Sequence, residues 1–236
     1  MSRIILVDDH ALIRAGLREF LSEYPEHEVV GETSTAREAF PLIEAARPDF
    51  ILMDLDLPGI DGVVATREIL RRVPEVRVLI LSAHDGTRDV MDAFAAGAAG
   101  YLLKTQQPTD LIEAMRTIVG GEQYLSARLA QKLAAAARAA GEISTDVLAV
   151  LSEREGEIFR LASDCRGAAQ IAHDLCIARK TVDSHLNRIN RKLRLRNLAE
   201  LVRLAATVGI VHAVRGAAGV RAARRRYQRS KRRDPG

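Results

Sequence analysis

Short apolar runs and amphipathic stretches alternate along the first half of the chain. The apolar runs cover residues 3–7, 28–33, 50–54, 77–81 and 99–103. The amphipathic stretches cover residues 11–23, 36–46, 61–72, 87–96 and 109–120. Strands separated by helices of this length form βα units with a parallel sheet. The pattern therefore predicts a doubly wound α/β domain of five parallel strands over residues 1–122, with its site at the carboxyl ends of the strands.

The second half of the chain predicts helices only. A segment with high helix propensity covers residues 126–140, inside a linker at 123–149. From residue 150 to residue 212 the pattern predicts four helices: about 152–162, 168–175, 179–193 and 197–208. In the third helix the apolar residues follow one another at intervals of four, three and four, which gives a single buried stripe. The opposite face is polar, and it is either an ordinary solvated face or a surface that binds a partner.

Charge divides the chain into an acidic half and a basic half. Residues 1–125 hold 12 basic and 21 acidic side chains, whereas residues 150–212 hold 11 basic and 7 acidic ones. Residues 213–236 hold nine basic side chains and one acidic side chain, and the whole chain has a net charge of +4. This asymmetry indicates a polyanionic partner for the basic half. The final segment has almost no large apolar groups, so we expect a disordered tail that binds DNA phosphates, docks on the acidic domain or has no role.

Composition limits the class of protein. Hydrophobic residues make up 47% and charged residues 28%, a normal balance for a globular protein. No stretch approaches 18 consecutive apolar residues, so we expect no association with a membrane. The two cysteines, Cys165 and Cys176, do not form a Cys-x-x-Cys pair. That spacing argues against a disulfide framework or a zinc site and favours a reducing, cytoplasmic location.

Polar side chains follow the strands of the predicted sheet. Asp8 and Asp9 come directly after the first strand, Asp54 ends the third, Ser82 follows the fourth and Lys104 follows the fifth. Taken singly, such an aspartate most often caps a helix and such a lysine is a solvated surface charge. Together they converge on one edge of a parallel sheet, where three carboxylates repel one another unless a cation joins them. Carboxylate oxygens are preferred ligands of Mg²⁺, so the sequence predicts a magnesium site.

These residues resemble the receiver domain of response regulators. The resemblance rests on Asp8-Asp9, on FILMDLDLPGIDG at 50–62, on Ser82-Ala83 and on GYLLK at 100–104, and it spans residues 3–122. It implies a flavodoxin-like fold in which phosphorylation switches the domain.

The resemblance also implies a role for each residue at the edge. Asp54 would accept the phosphoryl group from a sensor histidine kinase. Asp9, Asp54 and the backbone carbonyl of Asp56 would bind Mg²⁺ directly, and Asp8 would act through a water molecule. Lys104 would pair with the phosphoryl oxygens, and Ser82 and Tyr101 would form the switch. The acyl phosphate formed on a carboxylate nucleophile agrees with this chemistry.

An alternative follows from the sequence Asp54-Leu55-Asp56. An apolar strand followed by Asp-x-Asp is also typical of haloacid-dehalogenase-type phosphatases, in which the first aspartate is the nucleophile and the second a general acid. That motif usually opens its domain, whereas here it lies on the third predicted strand, behind Asp8-Asp9. We therefore expect a regulator rather than an enzyme, with the phosphatase as the alternative.

The helical half resembles a LuxR-type helix-turn-helix. The motifs are LSEREGEIF at 151–159, QIA at 170–172, KTVDSH at 180–185 and RKLRLRNLAEL at 191–201. Joined to a receiver, they resemble the NarL/FixJ class of transcriptional response regulators. This implies a protein that binds double-stranded DNA and forms a homodimer when phosphorylated or DNA-bound. An output domain that binds protein or RNA is the remaining alternative.

The resemblance places the DNA contacts on the polar face of the third helix. Asp183, Ser184 and Asn187, with Arg188 nearby, are the candidates for base edges. Asn187 could read adenine and Arg188 guanine, the usual bidentate pairings. The candidates for phosphate contacts are Lys180, Thr181, Arg191 and Lys192.

Overall fold

The computed structural model describes residues 1–139, 145–164 and 166–207. The N-terminal domain alternates strands and helices as the sequence predicts. Its elements are β1 (Ser2–Val7), α1 (Ala11–Ser22), β2 (His27–Thr33), α2 (Ala36–Ala46), β3 (Phe50–Asp54), α3 (Gly62–Arg72), β4 (Arg77–Ser82), α4 (Thr87–Ala96), β5 (Gly100–Leu103) and α5 (Pro108–Val119). Cys165 and the tail at 213–236 lie outside the described residues.

The strands form one parallel sheet in the order β2-β1-β3-β4-β5-β6. The last strand, β6 (Tyr124–Leu125), pairs with Gly100 and Tyr101 of β5. The prediction of five strands was therefore one strand short. A strand of two residues is too short to show a periodic pattern, and it lies in the segment that the sequence assigned to the linker.

Burial on both faces explains why the central strands are continuously apolar. Ile5, Ile51 and Ile80 belong to a core that includes residues of α2, α3 and α4. Leu6 and Leu52 belong to the core on the opposite face, beneath α1 and α5. Parallel sheets covered by helices on both faces have this composition. Each strand therefore ends at the same edge of a rigid layer.

The C-terminal domain is helical. A 3-10 helix (Thr145–Val150) precedes α7 (Glu153–Ser163), α8 (Ala168–Asp174), α9 (Arg179–Leu193) and α10 (Leu198–Thr207). A capping box starts α7: the Ser152 hydroxyl accepts from the backbone N–H of Glu155, and the Glu155 carboxylate accepts from the backbone N–H of Ser152. Val182 and Ile189 are buried in this domain's own core, while Leu186 and Leu193 pack against it. The predicted stripe along the third helix is confirmed.

The predicted linker helix forms as α6 (Ala127–Ala139), which joins the two domains by packing. Ala199 and Val202 of α10 lie in the same apolar cluster as Leu129 and Leu133 of α6. The backbone N–H of Leu198 also donates to Gln123 Oε1 at 2.7 Å. The helical domain is therefore held against the N-terminal domain through α6 and α10. Among the helices of the described segments, none is long and apolar enough to cross a bilayer.

Candidate functional site

The carboxyl edge of the sheet brings the predicted charged residues together. Lys104 Nζ lies 2.7 Å from Asp54 Oδ2 and 2.7 Å from Asp8 Oδ2. The carboxylates of Asp8 and Asp54 are 4% and 1% exposed, and the Lys104 side chain is 15% exposed. One ammonium thus joins two buried carboxylates that come from different strands. Charge pairing in a buried place holds these groups in a defined geometry.

The surroundings of the pocket shift the pKa of both Asp54 and Lys104. Burial raises the pKa of the Asp54 carboxyl above its ordinary value, the Lys104 hydrogen bond opposes that rise, and the Asp8 charge adds to it. Burial alone would lower the pKa of Lys104, but hydrogen bonds to Asp54 and Asp8 outweigh it and raise the pKa. Lys104 therefore remains a cation beside the carboxylate it contacts.

The pocket has the donor set of a hard cation. Ligand atoms of Asp8, Asp9, His10 and Asp54 all lie within 4.8 Å of one another. Three of these four residues supply carboxylate oxygens, which Mg²⁺ prefers. His10 was absent from the sequence prediction; its Nδ1 lies 2.6 Å from Asp9 Oδ1. The residues present therefore fit a divalent cation held mainly by oxygen.

The side chain of Asp56 is exposed and lies beside His84. Its carboxylate is 53% exposed, and its Oδ2 lies 3.1 Å from Nε2 of His84. The backbone N–H of Asp56 faces Asp54 Oδ1 at 3.4 Å. A phosphatase of the alternative class needs the second aspartate as an acid beside the nucleophile. The Asp56 carboxylate instead contacts His84, and this pairing disfavours that alternative.

A glycine allows the chain after β3 to pass close to Asp54. A Cβ atom at Gly62 would come 2.2 Å from the backbone oxygen of Asp54 and 2.9 Å from the Cα of Leu55. Any other residue at this position would push α3 away from the end of β3. Gly59, directly after Pro58, has a φ of +84°, which glycine adopts without strain. These two glycines fix the loop beside Asp54.

The two predicted switch residues, Ser82 and Tyr101, both form hydrogen bonds to the backbone of His84. Ser82 is buried, and its Oγ accepts from the backbone N–H of His84 at 2.9 Å. Tyr101 is fully buried, and its hydroxyl donates to the His84 carbonyl at 2.9 Å. Burial raises the pKa of Tyr101 to about 12, so the phenol keeps its proton and remains a donor. The loop after β4 is thus tied to both side chains.

The polar face of α9 is exposed along its length. Seven of the eight side chains predicted to contact DNA are exposed, and Asp183 is half-buried. The exposed ones are Lys180, Thr181, Ser184, Asn187, Arg188, Arg191 and Lys192. Lys192 has a further partner that the sequence did not indicate: its Nζ lies 2.6 Å from Glu155 Oε2 and donates to the Val150 carbonyl at 3.0 Å.

One edge of this face borders a cleft against the N-terminal domain. Asp183, Asn187 and Asn190 of α9 line a cleft of about 740 Å³, opposite Asp110 and Glu113 of α5. Asp183 and Asn187, two of the predicted DNA contacts, therefore border the cleft between the two domains.

Both halves of the chain match known families. Residues 4–116 match the response regulator receiver domain, and residues 149–205 match the bacterial regulatory proteins of the luxR family. The transcriptional activator protein ExaE of Pseudomonas putida is 37% identical over 208 residues, which cover 88% of this chain and 97% of that protein. The response regulator UvrY of Escherichia coli K12 is 34% identical over 213 residues, which cover 90% of this chain and 97% of that protein.

Solved structures give the same result. A two-component response regulator of the LuxR family from Aurantimonas sp. SI85-9A1 is 40% identical, with a TM-score of 0.54, over 56% of this chain and 94% of that chain. The RcsB response regulator of Salmonella typhimurium, 24% identical, shares the fold over 87% of this chain and 98% of its own, with a TM-score of 0.54. With both families matched in chain order and ExaE aligned almost from end to end, the chain belongs to the NarL/FixJ-type response regulators, the DNA-binding transcriptional regulators of two-component systems.

Proposed function

We propose that Asp54 is the phosphoryl acceptor through which a sensor histidine kinase controls DNA binding by this chain. The observation that carries the proposal is the Lys104 ammonium, placed 2.7 Å from Asp54 and Asp8 among buried carboxylates. An Asp54 oxygen forms the new bond to phosphorus, and the bond between phosphorus and the donor's histidine nitrogen breaks. The leaving imidazole takes up a proton from solvent. Lys104 neutralises charge on the phosphoryl oxygens.

We further propose that Mg²⁺ is the cation of this pocket. Asp9, Asp54 and the backbone carbonyl of Asp56 would hold it, with Asp8 acting through a water molecule. The support is the cluster of carboxylate oxygens at the sheet edge. The ion would neutralise charge on the transferring phosphoryl group. The chain's own residues do the rest: Asp54 supplies the nucleophile, and Lys104 orients it.

Phosphorylation is proposed to act through the loop after β4. Ser82 and Tyr101 both bond to His84, so a Ser82 hydroxyl that turns toward the phosphoryl group gives up its bond to the His84 N–H. Asp85, the next residue in this loop, pairs with Lys132 of α6 at 2.5 Å. Movement of the loop therefore reaches the helix that holds α10. Release of α10 and α9 would free the DNA-reading face and let α10 form the homodimer.

Labelling with a small phosphodonor tests the acceptor. We expect acetyl phosphate with Mg²⁺ to add one phosphoryl group to the wild-type chain, located at Asp54 by mass spectrometry. Asp54→Asn should abolish it. Asp56→Asn is the matched control, because the Asp56 carboxylate is exposed and only its backbone carbonyl is proposed to bind the cation; it should still be labelled. Equal labelling of the wild type and Asp54→Asn, with no shift to a neighbouring carboxylate, would contradict the proposal.

The DNA contacts are proposed for the exposed face of α9. Asp183, Ser184, Asn187 and Arg188 would face base edges, and Lys180, Thr181, Arg191 and Lys192 would contact phosphates. Support comes from their exposure and from the luxR-family match over residues 149–205. Selection of bound sequences from random duplex DNA, with and without acetyl phosphate, tests both sequence specificity and its control. The proposed binding to DNA also agrees with the predicted cytoplasmic location.

A further inference from the structure

A charged contact links the end of the receiver to the first residue of α9. Arg179 Nη2 lies 3.4 Å from Glu122 Oε1, and the same guanidinium donates to the backbone carbonyl of Gly120. Its Nε lies 4.0 Å from Asp183 within α9. The Arg179 side chain is 44% exposed, and the Glu122 side chain is 19% exposed. Arg179 therefore carries the ion pair between the domains while remaining within reach of solvent.

The Glu122 carboxylate contacts more than Arg179. A Cβ atom built on Gly167 would come 2.1 Å from Glu122 Oε2, so the carboxylate lies directly against the backbone that precedes α8. One receiver carboxylate thus touches both helices of the helix-turn-helix: α8 through Gly167 and α9 through Arg179. A larger residue at position 167 would displace it. The contact depends on the two domains being docked as they are here.

We propose that Arg179 is a DNA-phosphate contact of this chain and that the Glu122 carboxylate is its internal competitor. Guanidinium pairs with carboxylates and phosphates in the same planar, bidentate way, and one Arg179 cannot serve both partners at once. Arg179 belongs to the helix whose neighbouring Lys180 and Thr181 are proposed for phosphates. The DNA backbone therefore displaces Glu122 when the domains separate, and Glu122 lowers DNA affinity while they are docked. This inference rests on the proposed role of α9 in DNA binding.

The test is the affinity of the full-length, unphosphorylated chain for a mixed-sequence duplex across a salt series. Glu122→Gln keeps the shape of the side chain and removes the charge, and it should tighten binding about twofold to fivefold, the range of a partly exposed ion pair. Arg179→Gln should weaken binding and make the salt dependence shallower by about 0.9 in slope, the loss of one phosphate contact. In the double variant, Glu122→Gln should bring no further gain.

Glu113→Gln is the matched control. It removes one acidic charge from the same cleft, and no ion pair of its carboxylate appears among the described residues, so it should change affinity less than Glu122→Gln. A gain from Glu122→Gln that persists in the Arg179→Gln background would overturn the competition. An unchanged salt slope in Arg179→Gln would overturn the phosphate contact. Thermal unfolding of each variant shows that the fold is kept.

Two further variants separate this inference from the proposed function. If Lys180→Gln and Asn187→Ala weaken binding while Arg179→Gln does not, the inference fails and the DNA-reading role of α9 stands. If none of the three changes binding, α9 does not contact DNA and the proposed contacts fail with it. Weakening by all three, with the gain from Glu122→Gln lost in the double variant, supports both.

Discussion

The pocket at the sheet edge and the polar face of α9 are built in opposite ways. In the pocket, the buried carboxylates of Asp8 and Asp54 are each paired with the half-buried Lys104 ammonium at 2.7 Å. Along α9, side chains such as Asn187 and Arg188 are exposed. The first region gains its geometry from the fold, and the second is proposed to gain it from the DNA that it binds. A change in the pocket should therefore alter stability, whereas a change on α9 should alter only binding.

The largest expected effect is on the stability of the pocket. Lys104→Met removes the ammonium that joins Asp8 and Asp54, and an uncompensated pair of buried carboxylates costs about 3 kcal/mol of unfolding free energy. Urea unfolding measures this loss, and Mg²⁺ should restore part of it because a ligand that binds the folded state stabilises it. Lys180→Met on the exposed face is the control and should unfold like the wild type. Equal unfolding free energies of the two variants would show that the pocket and the face of α9 do not differ in this respect.

The next effect is on sequence reading by α9. Asn187→Ala should cost about 1–3 kcal/mol of binding free energy at one base position and relax the selected motif there. The unfolding free energy should stay within about 0.5 kcal/mol of the wild type, because the side chain is exposed. An unchanged motif would show that this face of α9 is not the one that reads bases.

A smaller effect concerns the start of α7. Ser152→Ala removes the hydroxyl that caps the helix, which typically costs about 1 kcal/mol of stability. The matched control is Ser184→Ala, since the Ser184 hydroxyl donates only to the Lys180 carbonyl inside α9. Differential unfolding of the two variants measures the cap. If both variants lose the same unfolding free energy, the Ser152 hydroxyl stabilises the protein no more than the Ser184 hydroxyl does.

The smallest effect is a change of stability with pH in the helical domain. The Lys192 ammonium and the backbone N–H of Ser152 lower the pKa of Glu155 from 4.5 to about 2. The lowered pKa means that this stabilisation is full above pH 4.5 and is lost as the pH falls from 4.5 towards 2. Glu155→Gln should flatten that part of the melting-temperature profile. A profile of the same shape in both proteins would show that Lys192 does not stabilise Glu155.

The pocket could be predicted from the sequence because strand ends of a parallel sheet share one edge. Asp54 and Lys104 are fifty positions apart, yet each directly ends or follows an apolar run, and that alone places them together. His10 and His84 gave no such signal, because an isolated polar residue beside a strand end is common in loops. Only the folded structure brings His10 and His84 next to their partners.

Contacts between the domains could not be predicted in the same way. The pair of Glu122 and Arg179 depends on how two separately folded units dock, and neither residue belongs to a periodic pattern. The strand β6 was missed because it has two residues. The sequence predicted that Lys192 contacts a DNA phosphate. Its bond to Glu155 arises because the capping box holds the Glu155 carboxylate within reach of the Lys192 ammonium.

The most direct measurement is the affinity for a selected duplex of the wild type and of Asp54→Asn, each with and without acetyl phosphate and Mg²⁺. If a phosphoryl group on Asp54 frees the face of α9, phosphodonor should tighten binding of the wild type and leave the affinity of Asp54→Asn unchanged. The same affinity for the wild type in both conditions, with labelling of Asp54 confirmed by mass, would contradict control of DNA binding through this pocket.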